Sequence, residues 1–543
     1  MMDVEDISAA RLTIGDVIKH LTADAIDVPP PWPPDAFAVA AYLLKHSGAY
    51  IDIINVWPPE QYKTPAEWES DAKRIADGWR SSWITSKTCP GEIATWWQVI
   101  AGSSGTKVMD ILGDRVVVEA LVGIVATADQ ACFGVGIYHG VSRLLDAFDN
   151  RWLYLLNKKS LCSRIDPSVA MVLPKLHNPL NGMTLRSLTH NLALWDRPEV
   201  APIWKQLARP DIKCGINMLL LPWPLSIDPK SFHDADPRGA CREKMPPNCG
   251  LFTYEIPSEP IDADAVRMLV KLASDLVGNI DAVVFPELSM SVEDFLNVRG
   301  TLNETLIIAG VGESEVDGGP LGSNSVMIGL ETDEGLHEHS QYKHHRWRLD
   351  AQQMQQYGIG YALDTRKVSW WEAIDMPPRS CAFFSVNPWL TFCVLICEDL
   401  ARQDPVAELV RAVGPNLVIA LLMDGAQLPD RWSARYATVL ADDPRCSVLT
   451  LTSAGLVDMS RSQGLPGPRS IGLWKDAVSG GKPTEIHLAP KAKAVVLSLS
   501  REWAEEWAAD GRSDGGYTGY LRLRGTHQVY LPEKAEKHEA SPT

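Results

Sequence analysis

From Gly215 onward the chain alternates short apolar runs with amphipathic stretches, and this alternation constrains the fold more than any other feature. Gly215 to Leu221, Ala282 to Phe285, Thr305 to Ala309 and Asn324 to Leu330 read as strands. Cys381 to Val386 and Leu390 to Cys397 read as a hairpin around Asn387-Pro388, and Leu417 to Leu422, Ser447 to Thr452, Ser470 to Trp474 and Ala494 to Leu499 as further strands. Asp262 caps a helix with the stripe Val266, Leu269, Val270, Ala273 and Val277, ended by Gly278. Asp404-Pro405 opens another, with Val406, Leu409, Val410 and Val413 on one side. Strands and helices in this order specify a layered α/β domain.

The first 210 residues follow a different rule. Ala36 to Leu44, Ala66 to Trp83 and Arg115 to Phe148 repeat apolar residues every three or four positions, and Leu185 to Trp195 reads as one more helical piece. A mainly α-helical domain is therefore expected over 1–210, an α/β domain over 211–531 and a disordered polar tail over 532–543, with a linker at Arg209-Pro210-Asp211. At 543 residues two to four domains are expected, and 45% hydrophobic residues are enough to bury their cores.

A net charge of −17 argues against general affinity for nucleic acid or an anionic membrane. Val116 to Tyr138 carries Glu119 and Asp129 and reads as a buried helix rather than a membrane span. The start of the chain lacks a basic region followed by an apolar stretch, and the ten cysteines lack framework spacing. A cytoplasmic location is expected. Cys241 and Cys249 alone do not make a metal site.

Three passages carry chemistry. Val283-Val284-Phe285-Pro286-Glu287-Leu288 ends a buried strand with a carboxylate, Tyr342-Lys343-His344-His345 ends an extended segment with a cation, and Leu395-Ile396-Cys397-Glu398-Asp399-Leu400 ends another strand with a thiol. Taken singly, each has an ordinary reading as a solvated turn, a surface charge or a small core residue. Together, and in this order, they resemble the nitrilase superfamily of carbon–nitrogen hydrolases. The resemblance covers Cys214 to Leu531, and includes Ile307 to Glu313, Asn324-Ser325 and the segment Arg435-Tyr436-Ala437.

The resemblance implies an αββα sandwich in which Glu287, Lys343 and Cys397 act together without a cofactor or metal. A thiol of pKa ~8.5 is only a few per cent ionised at neutral pH, and a free Glu near ~4.3 is too weak a base by roughly 5–6 kcal/mol. Apolar flanks would raise Glu287, while Lys343 and the Glu398 backbone N–H would stabilise the anionic oxygen. The implied reaction is attack by Cys397, loss of amine or ammonia, and hydrolysis of a thioester by water that Glu287 activates. Many members carry a second Glu about eight residues after the lysine. Here Ala351 stands there with Asp350 beside it, so either Asp350 orients the site or the site is unusual or less active.

Ser226 to Pro260 and Asp350 to Arg379 are long for the family and are expected to reshape the substrate mouth. His337, His339, His344 and His345 lack a carboxylate or Cys partner at metal-ligand spacing. The basic run from Lys343 to Arg348 reads as a solvated edge, with an anionic substrate as the alternative. The wording Cys-Glu-Asp-Leu is similar to the glutaminase domains of NAD synthetases, but the only Ser-Gly-Gly, Ser479 to Gly481, is followed by Lys482-Pro483 and lacks the synthetase continuation.

The leading expectation is an amidase-type hydrolase of a non-peptide C–N bond in a small molecule. The second is a nitrilase acting on a C≡N group. The third is a regulatory or partner-binding protein with a degenerate domain, associated with defence systems. A homodimer is expected, with the helix from Asp404 to Val413 as its candidate face.

Overall fold

The computed structural model describes residues 12–22, 25–53, 57–59, 61–137, 145–179, 182–207, 209, 211–235, 246, 248–256, 261–313, 321–332, 335–461, 469–477 and 481–532. Cys241, and the tail from residue 533, lie outside them.

Two seven-stranded sheets form the centre. The first runs Gly335–Tyr342, Ser323–Thr332, Leu306–Glu313, Ala282–Val284, Gly215–Leu220, Ala494–Ala504 and Thr518–Val529. The second runs Thr484–Leu488, Arg469–Lys475, Ser447–Thr452, Leu417–Leu422, Leu390–Ile396, Ser380–Asn387 and Ala201–Gln206. The middle strands of both sheets pair in parallel and are apolar on both faces, as a buried layer requires.

Side-chain alternation sorts these faces. Met218, Ala282 and Ile308 of the first sheet and Phe392, Leu417 and Ile419 of the second line one narrow void between the sheets. Leu219, Val283 and Ile307 turn outward instead and pack with Val266, Leu269 and Ala273 of the helix Ala263–Val277 and with Phe295 and Val298 of Val292–Arg299. The helix Trp432–Asp442 lies against the second sheet. The layers are therefore αββα, as the strand and helix order requires.

The amino-terminal region is mainly helical: Ile14–Thr22, Pro33–Ser47, Pro65–Ser86, Gly91–Gly102, Arg115–Ala131 and Ala147–Leu156. Its core is aromatic, with Trp68, Trp79, Trp97 and Phe148 fully buried. Arg115–Ala131 is a buried helix, and among the described residues no helix is long and apolar enough to cross a membrane. Leu185 to Trp195 departs from its helical reading: a single 3-10 turn, Leu185–Leu188, leads into the strand Leu192–Trp195, antiparallel to Met171–Pro174. Four apolar residues in a row suit either structure, and the partner strand decides.

Ahead of the expected linker at 209–211, the strand Ala201–Gln206 pairs in parallel with Ser380–Asn387 and forms the edge of the second sheet. One hydrophobic cluster runs without a break from the helical region into both sheets.

The face of the helix Glu408–Val413 is not open for pairing. Leu409, Val410 and Val413 are buried, the Leu176 N–H donates to the Val413 carbonyl at 2.9 Å, and His177 packs on Gly414. Arg186 holds Asp443 through two hydrogen bonds of 2.6 and 2.8 Å, and Arg197 reaches Asp404 and Glu408. The chain's own amino-terminal segment covers this stripe.

Both long segments around the site carry strand. Phe232–Asp234 and Cys249–Tyr254 from one join Ser369–Glu372 from the other and Arg348–Leu349 in a small four-stranded sheet. This sheet delivers a further residue to the site.

Candidate active site

Glu287 and Cys397 each sit just beyond a strand held on both sides, and Lys343 just beyond an edge strand. Glu287 follows Ala282–Val284, which runs between Gly215–Leu220 and Leu306–Glu313. After Pro286 the backbone turns tightly, with Leu288 at φ +48°, and lies directly on Gly310. A Cβ on Gly310 would stand 2.4 Å from the Glu287 Cα and from the Pro286 carbonyl oxygen, so only glycine permits this approach. The Gly310 N–H donates to the Pro286 carbonyl and its own carbonyl accepts from Ser289, locking the turn.

Lys343 follows the edge strand Gly335–Tyr342, and its N–H donates to the Asn324 carbonyl at 2.9 Å. Two residues earlier, the Gln341 amide bridges the sheets: it donates to Val394 at 2.9 Å and accepts from the Ala382 N–H at 2.8 Å. Cys397 ends Leu390–Ile396, where its N–H still pairs with Leu421 at 2.8 Å. Its own conformation, φ +44° and ψ −104°, is one a side chain adopts at a cost, and such strain concentrates at functional positions. The chain then turns into the short helix Glu398–Ala401.

Lys343 Nζ donates to Glu287 Oε1 at 2.7 Å and to Glu372 Oε2 at 2.6 Å. Asn324 Nδ2 donates to Glu287 Oε1 at 2.8 Å and to Glu372 Oε1 at 2.7 Å, and the Trp347 N–H donates to Glu372 Oε2 at 2.9 Å. All of these side chains, and Cys397, are buried. Glu287 Oε2 is buried and has no hydrogen-bond partner among the described residues. One carboxylate oxygen thus accepts from two donors and the other from none among the described residues.

Charge follows from the arrangement. Burial works against the Lys343 cation, but the Glu287 and Glu372 carboxylates hold it well above the usual lysine range. Burial pushes the Glu287 carboxyl up; Lys343 opposes this and the Glu372 charge adds to it. Burial also pushes the Cys397 thiol well up, as does Glu287, while Lys343 and a hydrogen bond from the Met423 N–H pull it down. Burial and the Glu287 charge both favour the neutral form of the thiol.

Asp350 is not at this site. It is the exposed N-cap of the helix Ala351–Gln356, accepting from the Gln353 N–H at 2.8 Å. Glu372 stands where an orienting carboxylate was sought. It escapes a sequence reading because it is 29 residues from Lys343, inside the long segment Asp350 to Arg379. The signal was the β-prone run Val368-Ser369-Trp370-Trp371 just ahead of it.

Asp399 ties the thiol loop to the lysine loop. Buried completely, it accepts the His344 N–H on both oxygens at 3.1 Å and His345 Nδ1 at 3.0 Å. His344 Nε2 is paired with the Ser380 carbonyl at 2.8 Å, and Arg346 donates to the Glu372 carbonyl at 2.7 Å. Most of the basic run is therefore internal structure rather than an anion-binding edge. Among the described residues no group of three His, Cys, Asp or Glu side chains could hold a metal ion.

No family model matches the chain, and no curated protein sequence matches it. Solved structures that resemble part of it include members of the nitrilase superfamily, a carbon-nitrogen hydrolase and a glutamine-dependent NAD(+) synthetase. Saccharomyces cerevisiae Nit3, a member of branch 10 of the nitrilase superfamily, is 14% identical over 61% of this chain and 96% of its own, with a TM-score of 0.28. A carbon-nitrogen hydrolase from Helicobacter pylori G27 is 11% identical over 57% of this chain and 88% of its own, with a TM-score of 0.27. A glutamine-dependent NAD(+) synthetase from Cytophaga hutchinsonii is 10% identical over 53% of this chain, with a TM-score of 0.28. The match spans 43% of that synthetase's length.

Proposed function

We propose that this chain is a thiol-dependent hydrolase of a non-peptide carbon–nitrogen bond, of amidase type, in which Glu287, Lys343 and Cys397 carry the reaction and Glu372 and Asn324 position them. The observation that carries this reading is the division of labour on Glu287: Oε1 is held by Lys343 and Asn324, while Oε2 is buried and unpartnered.

The reaction begins when the Cys397 proton passes to Glu287 and the sulfur attacks the amide carbon. The carbonyl oxygen becomes an oxyanion, neutralised by the Lys343 ammonium and by the N–H of Glu398, which opens its helix and has no partner within it. The C–N bond breaks as the nitrogen takes the proton from Glu287, leaving a thioester on Cys397. Water then gives a proton to Glu287 and adds to the thioester carbon. Collapse expels the sulfur, which recovers that proton, and the carboxylic acid leaves.

Lys343 serves as a fixed cation because two carboxylates hold its charge. A partner-binding role without chemistry gives no reason to keep a buried Lys between two Glu side chains next to a thiol in a strained turn. A homodimer, expected from the resemblance, would have to use a face other than Glu408–Val413.

The test is release of ammonia or amine from a panel of amides, with nitriles included to separate the two bond types. Cys397→Ala should abolish turnover and leave the melting temperature within a few degrees. Lost activity accompanied by a collapsed melting temperature would return Cys397 to a packing role.

A further inference from the structure

The strand Leu417–Leu422 runs in parallel beside the strand that ends at the thiol, with Ile396 opposite Leu421. The Cys397 N–H donates to the Leu421 carbonyl at 2.8 Å, so the chain leaving Leu417–Leu422 turns directly beside Cys397. In that turn the Met423 N–H donates to the Cys397 sulfur. An N–H so placed favours the thiolate over the thiol, because the ionised sulfur is the stronger acceptor.

Asp424, the next residue, anchors the turn. It is buried, and donors from separate elements converge on its carboxylate. Oδ1 accepts from the Tyr357 hydroxyl at 2.8 Å, from the Gly425 N–H at 2.8 Å and from Arg431 at 2.7 Å, and Oδ2 accepts from Trp432 Nε1 at 3.0 Å. Leu422 is held by pairing with Thr452, and Asp424 by its side chain, so Met423 is fixed at both ends. Tyr357 closes the helix Ala351–Gln356 and belongs to the same long segment that delivers Glu372 to Lys343.

We infer that Asp424 is a positioning residue for the nucleophile: it keeps the Met423 N–H on the Cys397 sulfur, and Tyr357 ties that setting to the segment that places Glu372 on Lys343. The inference rests on the reading of Cys397 as the nucleophile, but its test needs no amide substrate. The native full-length chain is alkylated with iodoacetamide from about pH 7 to about pH 9, where thiols ionise. Mass spectrometry follows each cysteine peptide in the wild type, Asp424→Ala, Asp424→Asn and Tyr357→Phe, with amide turnover assayed alongside.

Cys397 should react roughly tenfold more slowly in Asp424→Ala, the effect of about one hydrogen bond to an ionised sulfur. Tyr357→Phe should show a smaller loss in the same direction. Asp424→Asn, which keeps an acceptor for the Tyr357, Gly425 and Arg431 donors, should recover most of the rate. Exposed Cys214 should keep its rate in all four proteins, and buried Cys393 and Cys446 should stay unmodified. A merely structural role gives the opposite sign: a loosened fold would speed Cys397 and open Cys393 and Cys446, and that result overturns the inference. Equal Cys397 rates in all four proteins overturn it as well, even if amides are turned over. The expected rate order without any turnover supports the positioning role and overturns the hydrolase reading. A wild-type Cys397 that stays unmodified throughout overturns both.

Discussion

Glu372 and Lys343, 29 residues apart in the chain, meet in a 2.6 Å ion pair that leaves Glu287 sharing the lysine with a second carboxylate. Glu372 touches Lys343, Asn324 and the Trp347 N–H, so it fixes where the lysine points. Glu372→Gln should lower kcat by roughly 100-fold through misplacement of Lys343. Asp350→Ala should leave kcat unchanged and cost about 1 kcal/mol for the lost helix cap. Steady-state kinetics with denaturant melts on the two variants check this, and the reverse ranking would assign the orienting role to Asp350.

Gly310 is 23 positions from Glu287 in sequence but lies against its backbone, where a Cβ would come within 2.4 Å. Gly310→Ala should push the Glu287 turn outward, destabilise the fold by about 1–3 kcal/mol and remove most of the activity. Thermal melts and turnover on that variant are the check. Full activity would mean that the turn position is not critical.

The pH dependence of folding should carry the mark of Glu506. Burial alone would raise its carboxyl, but hydrogen bonds from His177, Tyr520 and the Asn178 N–H hold it down at about 2. A carboxyl lower in the folded than in the unfolded state contributes stability that is fully present above the unfolded value near 4.5 and is lost as pH falls toward about 2. Urea melts between pH 6 and 3 should therefore show a decline that is shallower in Glu506→Gln. Identical slopes in the two proteins would contradict this.

Removing residues 1–210 should do more than delete a neighbouring domain. It takes away the edge strand Ala201–Gln206 and uncovers Leu409, Val410 and Val413. Light scattering should find the truncated chain aggregated or associated, and the full chain unassociated through this face. A truncated protein that stays monomeric with an unchanged melting temperature would show that the covering is dispensable.

The strand ends bearing Glu287 and Cys397 are legible because buried parallel strands read as unbroken apolar runs with an abrupt polar stop, whereas Lys343 ends a largely exposed antiparallel edge strand and is singled out only by the resemblance. The orienting carboxylate was not legible, because distance along the chain is a poor guide where a long segment folds back as strand. Glu372 reaches the lysine through the pairing of Ser369–Glu372 with Cys249–Tyr254, a contact between two segments that each looked like loop. Leu192–Trp195 was misread for a related reason, since its partner Met171–Pro174 lay in a proline-containing stretch without a strand pattern of its own. The covering of Leu409 and Val410 depends on packing between distant parts of the chain, which periodicity cannot report.

The most direct measurement is intact-protein mass spectrometry of the wild-type chain quenched in acid during turnover of an amide. The account predicts a mass increase equal to the acyl group, located on the peptide containing Cys397, absent from Cys397→Ala and accumulating when Glu287→Gln slows hydrolysis of the thioester more than its formation. Turnover with no adduct in any of these proteins, or an adduct on another residue, would contradict it.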